Sequence, residues 1–519
     1  MISAYDVASI RSAESGLMRE LPEGALMQRA AAGLVTECLV QLRERTGRVY
    51  GARVLLLVGS GNNGADALWT GARLLARGVR VVAVLAGEPV AEALQVFRQA
   101  GGRVAAQPEP ADLVLDALVG IGGRGGLRGR AAELVTGLAD TTSPEDVIAV
   151  DIPSGVDADT GAAQGPVLRA ALTVTIGSYK PGLLVGAGRG HAGRVVLVDI
   201  GLGPHLASAG VESLTAADVS ARMPRSAAAV DKFSRGVLGV AAGSQVYPGA
   251  AVLCVGAAVQ AGAGLVRFAG AAHPAQLVRM RWPETVVTEA DGAGVVDAGR
   301  VQAWVVGPGL GTDDQAAGTV EAVLATDLPV LVDADALTVC ARHPDWLRRD
   351  APTLLTPHDR EFARFGQDVG PDRIGAARAL AGRLGVTVLL KGDATVIAGP
   401  GGQTRVNRTG STALATAGSG DVLSGACGAL LAQGQGALDA ASVGAYLHGR
   451  AGVLAARGST TCASTILDAW PDAVLELGLP GGAQQSGRAQ QSGRVQQPGR
   501  VQQSGVPTRR RAGAGRMRP

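Results

Sequence analysis

Short apolar runs alternate with helix-like segments along most of the chain. The runs 53–58, 79–85 and 147–150 are each continuous enough for a buried strand, and residues 67–77 have the composition of a helix. Parallel strands need a crossover connection, which is usually a helix, so this alternation is typical of a parallel sheet. It continues to about residue 473. The pattern therefore predicts an α/β fold.

The chain is too long for one ordinary domain, because its 519 residues exceed the size at which a single hydrophobic core stops growing. We predict a first α/β domain over residues 1–218 and a second over residues 219–478. Residues 479–519 repeat variants of QQSGR and offer almost no core-forming side chains. We expect that tail to be disordered.

Charge and cysteine content argue against several classes of protein. The formal net charge is +3 and arginine clusters only at the extreme C-terminal end, so neither nucleic acid nor a membrane is expected as a partner. The five cysteines are far apart and form no CxxC pair, which argues against zinc and against a disulfide framework. The N-terminal residues carry charges where a signal peptide needs an apolar core. We expect a cytoplasmic protein that binds small molecules and forms a homo-oligomer.

One stretch tests the expectation that no segment spans a membrane. Residues 236–266 contain no charged side chain, but they are rich in glycine and alanine and include Pro248. A spanning helix needs about 20 continuous, strongly apolar residues. We interpret the stretch as a strand, a loop, a helix and a second strand of a buried layer.

Polar residues follow the strands of the first half. The loop after strand 53–58 reads GSGNNGAD over residues 59–66 and satisfies G-x-G-x-x-G, which is a weak match on its own. Asp116, Asp151 and Lys180 also stand at or just past predicted strand ends. Any one of them could belong to an ordinary turn. The carboxyl ends of parallel strands line one crevice, however, and the pattern predicts a ligand site there.

The second half contains a glycine loop, ATAGSGDVLSG over residues 415–425, which predicts the start of a helix. Free N–H groups and the helix dipole at such a start attract phosphate oxygens. Asp421 in the first turn could accept a proton from a group being phosphorylated, or could be an ordinary helix-stabilising aspartate. Lys391, after a buried strand, could neutralise donor phosphates or could simply be solvated. No Walker A sequence is present, so a different kind of nucleotide site is indicated.

The first half resembles the NAD(P)H-hydrate epimerase domain in the motifs GSGNNGAD, DALVGIGGRGG, DIPSGVDADTG and YKPGLL, in order and spacing. That family has a Rossmann-like three-layer fold and interconverts the R and S forms of NADHX and NADPHX, the hydrated nicotinamide cofactors. The resemblance implies the following hydrate-binding residues: Asn62, Asn63, Gly64, Ala65, Asp66, Gly120, Ile121, Gly122, Gly123, Arg124, Gly125, Gly126 and Asp151.

The same resemblance implies a potassium ion held by oxygen atoms of Asn63, Asp116 and Ser154, and oxygen ligands do suit a hard cation. Asp116 and Lys180 are candidates for proton transfer by position. The family usually has two glycines before the aspartate of the first motif, whereas this chain has Gly64 and Ala65. A left-handed backbone at Ala65 would be strained.

The second half resembles the ADP-dependent NAD(P)H-hydrate dehydratase domain, a branch of the ribokinase-like fold, in VVGPGLG, VLVDADALT, LLTPHDREF, VLLKGDATVI and the glycine loop. In that family ADP phosphorylates the hydroxyl group of the S hydrate, and elimination of phosphate restores the dihydronicotinamide and leaves AMP. The resemblance implies Mg²⁺ as a cofactor and Asp421 as the base. Its implied nucleotide contacts are Lys391, Gly392, Asp393, Ala394, Thr395 and Gly420, and its implied hydrate contacts are Ala250, Gly309, His358 and Asp421.

The motif HPGE of that family appears here as HDRE, so that Arg360 replaces a glycine and could alter hydrate binding.

Together the two resemblances predict a bifunctional enzyme that epimerises NADHX and NADPHX and dehydrates the S form to NAD(P)H with ADP. Two alternatives stay open from the sequence. One is a small-molecule kinase of the ribokinase-like superfamily, and the other is a hydrate-binding protein in which one domain has lost its chemistry.

Overall fold

The computed structural model describes residues 1–224, 233–457 and 460–478. The tail that we predict to be disordered, residues 479–519, lies outside the described residues.

Residues 1–222 carry strands and helices in alternation. The strands are β1 (Ile2–Ala4), β2 (Arg53–Val58), β3 (Arg80–Leu85), β4 (Arg103–Ala105), β5 (Leu113–Ala117), β6 (Val147–Val150), β7 (Leu172–Ile176), β8 (Arg194–Val198) and β9 (Val211–Ser213). The helices are α1 (Val7–Met18), α2 (Ala25–Thr46), α3 (Asn62–Leu75), α4 (Ala91–Gln99), α5 (Gly129–Ala139), α6 (Gly186–Ala192) and α7 (Ala216–Arg222).

The alternation resumes in the described residues after 233. The strands are β10 (Val237–Ala241), β11 (Leu265–Gly270), β12 (Val286–Glu289), β13 (Ala303–Val306), β14 (Val330–Val332), β15 (Thr353–Leu355), β16 (Thr387–Leu390), β17 (Thr395–Ala398) and β18 (Thr404–Asn407). The helices are α8 (Pro248–Gln260), α9 (Ala272–Arg281), α10 (Asp314–Leu324), α11 (Asp335–Arg342), α12 (Asp359–Ala363), α13 (Arg373–Leu384), α14 (Ser419–Ala432), α15 (Ala437–Ala455), α16 (Ala463–Asp468) and α17 (Trp470–Leu475).

The first sheet has seven strands in the order β4-β3-β2-β5-β6-β7-β8, and every pair in it is parallel. Its central strand β2 is buried on both faces, because Leu56 packs in one hydrophobic core while Leu55 and Leu57 pack in another. This is the predicted three-layer Rossmann-like arrangement. The strand order reverses between β2 and β5, and such a reversal opens a ligand crevice at the carboxyl ends of the strands.

The second sheet has eleven strands in the order β1-β9-β18-β17-β16-β15-β14-β13-β10-β11-β12. The strands from β16 through β10 to β12 are parallel, and the β16-β17 and β17-β18 pairs are antiparallel. Large apolar side chains such as Trp304, Phe268 and Phe362 are fully buried around it. The predicted α/β class is therefore confirmed for both halves.

Two short strands from the first half extend the second sheet. β1 pairs antiparallel with β9, and β9 lies parallel to β18 with Glu212 beside Arg405. The Arg405 side chain forms ion pairs with Glu212 at 3.5 Å and with Asp439 at 2.5 Å. Strands of three residues carry no readable periodicity, which is why the sequence did not reveal them. The domain boundary at 218/219 stays a prediction, and it falls inside α7.

The uncharged stretch 236–266 forms β10, α8 and the start of β11, as interpreted from the sequence. Among the described residues, no helix combines the length and the apolar character that a membrane crossing requires.

The position of β9 predicts different stabilities for two fragments of the second half. A fragment of residues 219–478 lacks β9, so it leaves the edge of β18 unpaired and removes Glu212 from Arg405, which is only 9% exposed. A fragment of residues 209–478 keeps both contacts. We expect the longer fragment to unfold at a temperature higher by about 4 °C or more, measured by circular dichroism. Equal unfolding temperatures would show that β9 does not stabilise the second sheet.

Candidate active sites

A cavity of about 390 Å³ lies at the carboxyl ends of the first sheet, where the strand order reverses. We call it the first-sheet cavity. The predicted residues that line it are Asn62, Asn63, Asp66, Gly120, Ile121, Gly122, Asp151 and Lys180. The other predicted residues of the loop 120–126 line a separate cavity of about 150 Å³; they are Gly123, Arg124, Gly125 and Gly126. The predicted hydrate-binding loop therefore spans two neighbouring cavities.

Helix α3 begins at Asn62, five residues before the start that the sequence indicated. The stretch Asn62–Asp66, expected as a loop, is therefore the first turn of a helix. Asn63 and Asp66 are each 9% exposed, and Nδ2 of Asn63 has no hydrogen-bond partner among the described residues. Burial raises the pKa of Asp66 well above its usual range, and the nearby charges of Asp151 and Glu14 raise it further. Asp66 is thus a carboxyl group that favours its protonated form.

Ala65 does not adopt the left-handed backbone that would have been strained. Ala65 lies in the helix, its N–H donates to the Gly61 carbonyl oxygen at 3.2 Å, and it is not among the residues with positive φ. Gly64 is the position that needs glycine, because a Cβ atom there would lie 2.2 Å from the Gly59 carbonyl oxygen. Alanine in place of the family's usual glycine at residue 65 therefore causes no backbone strain.

Asp151 and Lys180 form a buried ion pair at the wall of the first-sheet cavity. Lys180 is 1% exposed, and its Nζ also donates to Thr175 Oγ1 at 2.9 Å and to the Ile176 carbonyl oxygen at 2.8 Å. Three acceptors thus occupy the three donors of the ammonium group. Asp151 has a positive φ of 69°, a backbone conformation that is unfavourable for a non-glycine residue. Such strain is typical of functional sites.

Asp116 and Ser154 do not line the first-sheet cavity, but they contact Leu118 and Val119, which do. Asp116 is fully buried, and its Oδ2 accepts a hydrogen bond from the Ser154 N–H at 2.9 Å. Ser154 Oγ accepts from the Val119 N–H at 3.0 Å. Burial raises the pKa of Asp116, while its hydrogen bonds from Ser154 and Leu118 oppose the rise. Lys180, the other candidate for proton transfer, lines the cavity, whereas Asp116 does not.

Two charged residues of the cavity wall escaped the sequence analysis. Arg11 and Glu14 lie on α1 and line the first-sheet cavity. Burial raises the pKa of Glu14, and the Asp151 charge adds to the rise, while Lys180 and Arg11 oppose it. No local motif marks them, because α1 reads as an ordinary amphipathic helix and reaches the cavity only through the fold.

In the second half, the glycine loop opens α14 as predicted. The helix begins at Ser419, and its N-cap Gly418 has a φ of 83°. A Cβ atom at Gly420 would lie 3.3 Å from Nζ of Lys391. Glycine therefore allows the lysine to approach the first turn of the helix, and the two predicted nucleotide contacts lie together.

Lys391 is held by the carboxylate of Asp333, which the sequence analysis did not single out. Its Nζ lies 2.7 Å from Asp333 Oδ1, and Ser424 Oγ donates to Asp333 Oδ2 at 2.7 Å. Burial lowers the pKa of Lys391, but the charges of Asp333, Glu361 and Asp421 outweigh it, so the net shift is upward. The residue after Asp333, Ala334, has a positive φ of 51°. Lys391 is thus a fixed positive charge.

Asp421 lies in the first turn of α14, close to this pair. Burial raises its pKa to about 7, with a further contribution from Asp333 and an opposing one from Lys391. None of the hydrogen bonds among the described residues involves its carboxyl group. A carboxylate with a pKa near neutrality and a free oxygen is suited to general base catalysis.

Two of the predicted hydrate contacts, Ala250 and Gly309, lie side by side. Gly309 has a φ of 61°, and a Cβ atom there would lie 2.8 Å from the Cβ of Ala250. The third, His358, caps α12, since its Nδ1 accepts from the N–H groups of Arg360 at 3.1 Å and Glu361 at 3.2 Å. Arg360 lies in the first turn of that helix and lacks a positive φ, so it needs no glycine.

The other predicted nucleotide contacts form the turn between β16 and β17, residues 391–394, and the first residue of β17. We call residues 391–394 the nucleotide turn; they comprise Lys391, Gly392, Asp393 and Ala394, and Thr395 follows. Arg373 supports it, donating to the Lys391 carbonyl oxygen at 2.6 Å and to Asp359 Oδ2 at 2.9 Å. Ala394 is 2% exposed and packs in the core, so any nucleotide contact there comes from the backbone.

The fold and its two sites define a class: an α/β enzyme with a ligand crevice in one half and a lysine, a glycine loop and a base in the other. Comparison with known proteins agrees. Residues 238–470 match a family model described as NAD(P)H-hydrate dehydratase, and residues 23–182 match one described as YjeF-related protein N-terminus.

Curated relatives extend this similarity across both halves. A bifunctional NAD(P)H-hydrate repair enzyme of Mycobacterium tuberculosis is 53% identical over 83% of this chain and 89% of its own length. The corresponding enzyme of Mycobacterium leprae is 50% identical over 87% of this chain and 94% of its own length. A solved Bacillus subtilis ADP/ATP-dependent NAD(P)H-hydrate dehydratase, co-crystallised with ATP and Mg²⁺, is 29% identical, with a TM-score of 0.47 over 51% of this chain and 99% of that one. The chain belongs to the family of bifunctional NAD(P)H-hydrate repair enzymes.

The packing at Gly64 predicts opposite tolerances at two adjacent positions. Gly64→Ala would press a methyl group against the Gly59 carbonyl oxygen, so we expect it to destabilise the protein by about 1–3 kcal/mol. Ala65→Gly is the matched control and should cost no more than about 1 kcal/mol, the difference in helix propensity. Urea unfolding would measure both. If Ala65→Gly stabilised the protein, the backbone at residue 65 would be strained after all.

Proposed function

We propose that the first-sheet cavity interconverts the R and S forms of NADHX and NADPHX, and that the second site converts the S form to NAD(P)H with ADP, releasing AMP and phosphate. The observation that carries the proposal is the placement of Asp421, with a pKa of about 7, beside Lys391 and the glycine loop. These groups supply a base, a positive charge and an anion-binding helix start, which phosphoryl transfer requires.

In the dehydration, Asp421 takes the proton of the substrate hydroxyl as that oxygen attacks the terminal phosphorus of ADP. The phosphorus–oxygen bond to AMP breaks, and AMP leaves. Loss of the new phosphate ester with a ring proton then restores the dihydronicotinamide. Because the pKa of Asp421 is about 7, a substantial fraction is ionised at neutral pH and can accept the proton.

Lys391 and the N–H groups at the start of α14 would stabilise negative charge on the phosphates. Both oxygens of Asp333 are already occupied by Lys391 and Ser424. Among the described residues, no group of three or more His, Cys, Asp or Glu side chains could hold a metal ion. This supports a Mg²⁺ ion held mainly by the substrate phosphates, which is its usual mode. When bound, it would neutralise phosphate charge.

In the epimerisation, a proton must move on the hydrate, and the groups that line the first-sheet cavity are Asp66, Asp151, Lys180 and Glu14. We assign the transfer to the Asp151–Lys180 pair, since Asp116 does not line the cavity. Lys180 could pass a proton only by releasing one of its three acceptors. Asp66, whose pKa is strongly raised by burial, would donate a hydrogen bond in its neutral form.

Three residues that line this cavity or lie next to its lining fit a potassium ion. Asn63, Asp116 and Ser154 offer only oxygen donors, and the buried Asp116 carboxylate has no basic partner among the described residues. The orphaned Nδ2 of Asn63 shows that protein contacts do not fully hold this amide. A monovalent cation would offset the charge of Asp116. Asn63, Asp116 and Ser154 would hold it and so brace the floor of the cavity.

The proposal includes a cytoplasmic location and a homo-oligomer. The cysteines support the location, because Cys38, Cys254, Cys340 and Cys427 are free and buried and Cys462 is free and exposed. The homo-oligomer stays a prediction.

The direct test mixes the protein with R and S NADHX, ADP, Mg²⁺ and K⁺ and follows the return of dihydronicotinamide absorbance. Recovery of both epimers that depends on ADP would support both activities, once spontaneous epimerisation is subtracted. Recovery that stops at the S fraction would mean that the first site is inactive. A stable phosphorylated product would favour a small-molecule kinase instead.

Substitution of Asp421 should separate the two activities. We expect Asp421→Ala to lower dehydration at least about a hundredfold, the usual contribution of a general base, and to leave epimerisation unchanged. Asp314→Ala is the matched control, because Asp314 also lies in the first turn of a helix but is exposed and is not a predicted site residue. Loss of both activities in a folded Asp421→Ala protein would contradict independent sites.

The midpoint of the pH–rate profile of dehydration should depend on the charge of Asp333. Asp421 must be ionised to act as a base, so the rate should rise with pH through about 7. Asp333→Asn removes a negative charge that raises the pKa of Asp421, and we expect the midpoint of the profile to move to lower pH. Asp345→Asn, at a side chain 81% exposed, should leave the midpoint in place. An unchanged midpoint in Asp333→Asn would exclude Asp421 as the titrating base.

A further inference from the structure

An arginine of the first half reaches into the second half beside the nucleotide turn. Arg189 lies on α6, and its Nη1 donates to the Asp393 carbonyl oxygen at 2.6 Å and to Asp393 Oδ1 at 2.9 Å. Its Nη2 donates to the carbonyl oxygens of Arg408 at 3.0 Å and Gly410 at 2.9 Å. One guanidinium group therefore binds four oxygens, all of them in the second half.

These four oxygens belong to two loops of the second site. Asp393 is in the nucleotide turn. Residues 408–410 follow β18 and lead towards the glycine loop, which begins at residue 415. The loops are in close contact, because a Cβ atom at Gly410 would lie 2.6 Å from the Asp393 carbonyl oxygen. Arg189 spans their junction, and its side chain is 23% exposed. The spacing of the two loops is thus fixed by a group from outside the second sheet.

The helix that carries Arg189 packs against the segment that follows Lys180. The Gly188 N–H donates to the Gly161 carbonyl oxygen at 2.9 Å, and a Cβ atom at Gly188 would lie 2.1 Å from the Gly182 carbonyl oxygen. Gly182 follows Lys180 by two residues. The backbone that places Lys180 therefore also supports Arg189.

We propose that Arg189 is a positioning residue for ADP, one that makes nucleotide binding in the second half depend on a helix of the first half. The inference rests on the proposed dehydratase function. Loops that must be ordered when a ligand binds weaken its affinity, and a preformed contact removes that cost. Arginine suits the task, because its planar fork presents two donors on each terminal nitrogen, whereas lysine donates from a single point. Arg189 acts through the loops, because none of its hydrogen bonds is to Lys391 or Asp421.

The test measures ADP binding directly, by calorimetric titration of the full chain with ADP and Mg²⁺ in the absence of hydrate. We expect Arg189→Ala to weaken ADP binding about tenfold, given the strength of charged hydrogen bonds, and Arg189→Lys to restore part of the loss. In turnover assays, the KM for ADP should rise by a similar factor, while kcat at saturating ADP should change less than about twofold. Epimerisation should be unchanged.

Arg194→Ala is the matched control, since Arg194 is a 59% exposed arginine of the first half whose nearest carboxylate, Glu37, lies 4.0 Å away. The Arg194→Ala protein should bind ADP with the same affinity as the unaltered chain. Arg189→Lys keeps the positive charge, so it keeps the test available if Arg189→Ala does not fold. Unchanged ADP affinity in both Arg189 variants, or a loss of kcat with constant KM, would overturn the inference. Absence of ADP binding in the unaltered chain would instead refute the proposed function, and the inference with it.

Discussion

An ion pair between a buried aspartate and a lysine organises each site of this protein. Asp151 pairs with Lys180 in the first half, and Asp333 pairs with Lys391 in the second. Each aspartate follows a strand end of its sheet, where the carboxyl ends of parallel strands meet. Asp151 itself and Ala334, the residue after Asp333, are the non-glycine residues with positive φ among the described residues. The chain thus accepts backbone strain at the two places where it buries a charge for function.

The two pairs differ in how much of the lysine stays available. Lys180 is 1% exposed and its three donors are used within the protein, so it is a rigid part of the cavity wall. Lys391 has a side chain that is 21% exposed, and Asp333 is its one hydrogen-bonding partner among the described residues. Two donors of Lys391 are therefore free to meet phosphate oxygens. We propose that the same kind of pair serves proton transfer in one half and phosphate binding in the other.

Sequence motifs predicted the fold class and most of the residues that meet at the two sites, because those residues stand at strand ends and helix starts. What they missed depends on backbone conformation or on distant packing. The run Asn62–Asp66 reads as a loop, yet it forms a helical turn, so Ala65 avoids a left-handed backbone. Asp333, whose charge adds to the effect of burial in raising the pKa of Asp421, was not singled out by any motif. Glu14 and Arg189 come to their sites only through tertiary contacts.

Those tertiary contacts join the two halves at the N-terminus as well as at Arg189. The Tyr5 N–H donates to the Tyr179 carbonyl oxygen at 2.9 Å, and Tyr179 packs against the core of the second sheet. β1 lies in the second sheet, and α1, which begins at Val7 only three residues after it, lines the first-sheet cavity. Tyr179 also immediately precedes Lys180. The edge of the second sheet therefore anchors both the helix and the lysine of the first site, so each half supplies part of the framework on which the other half's chemistry is built.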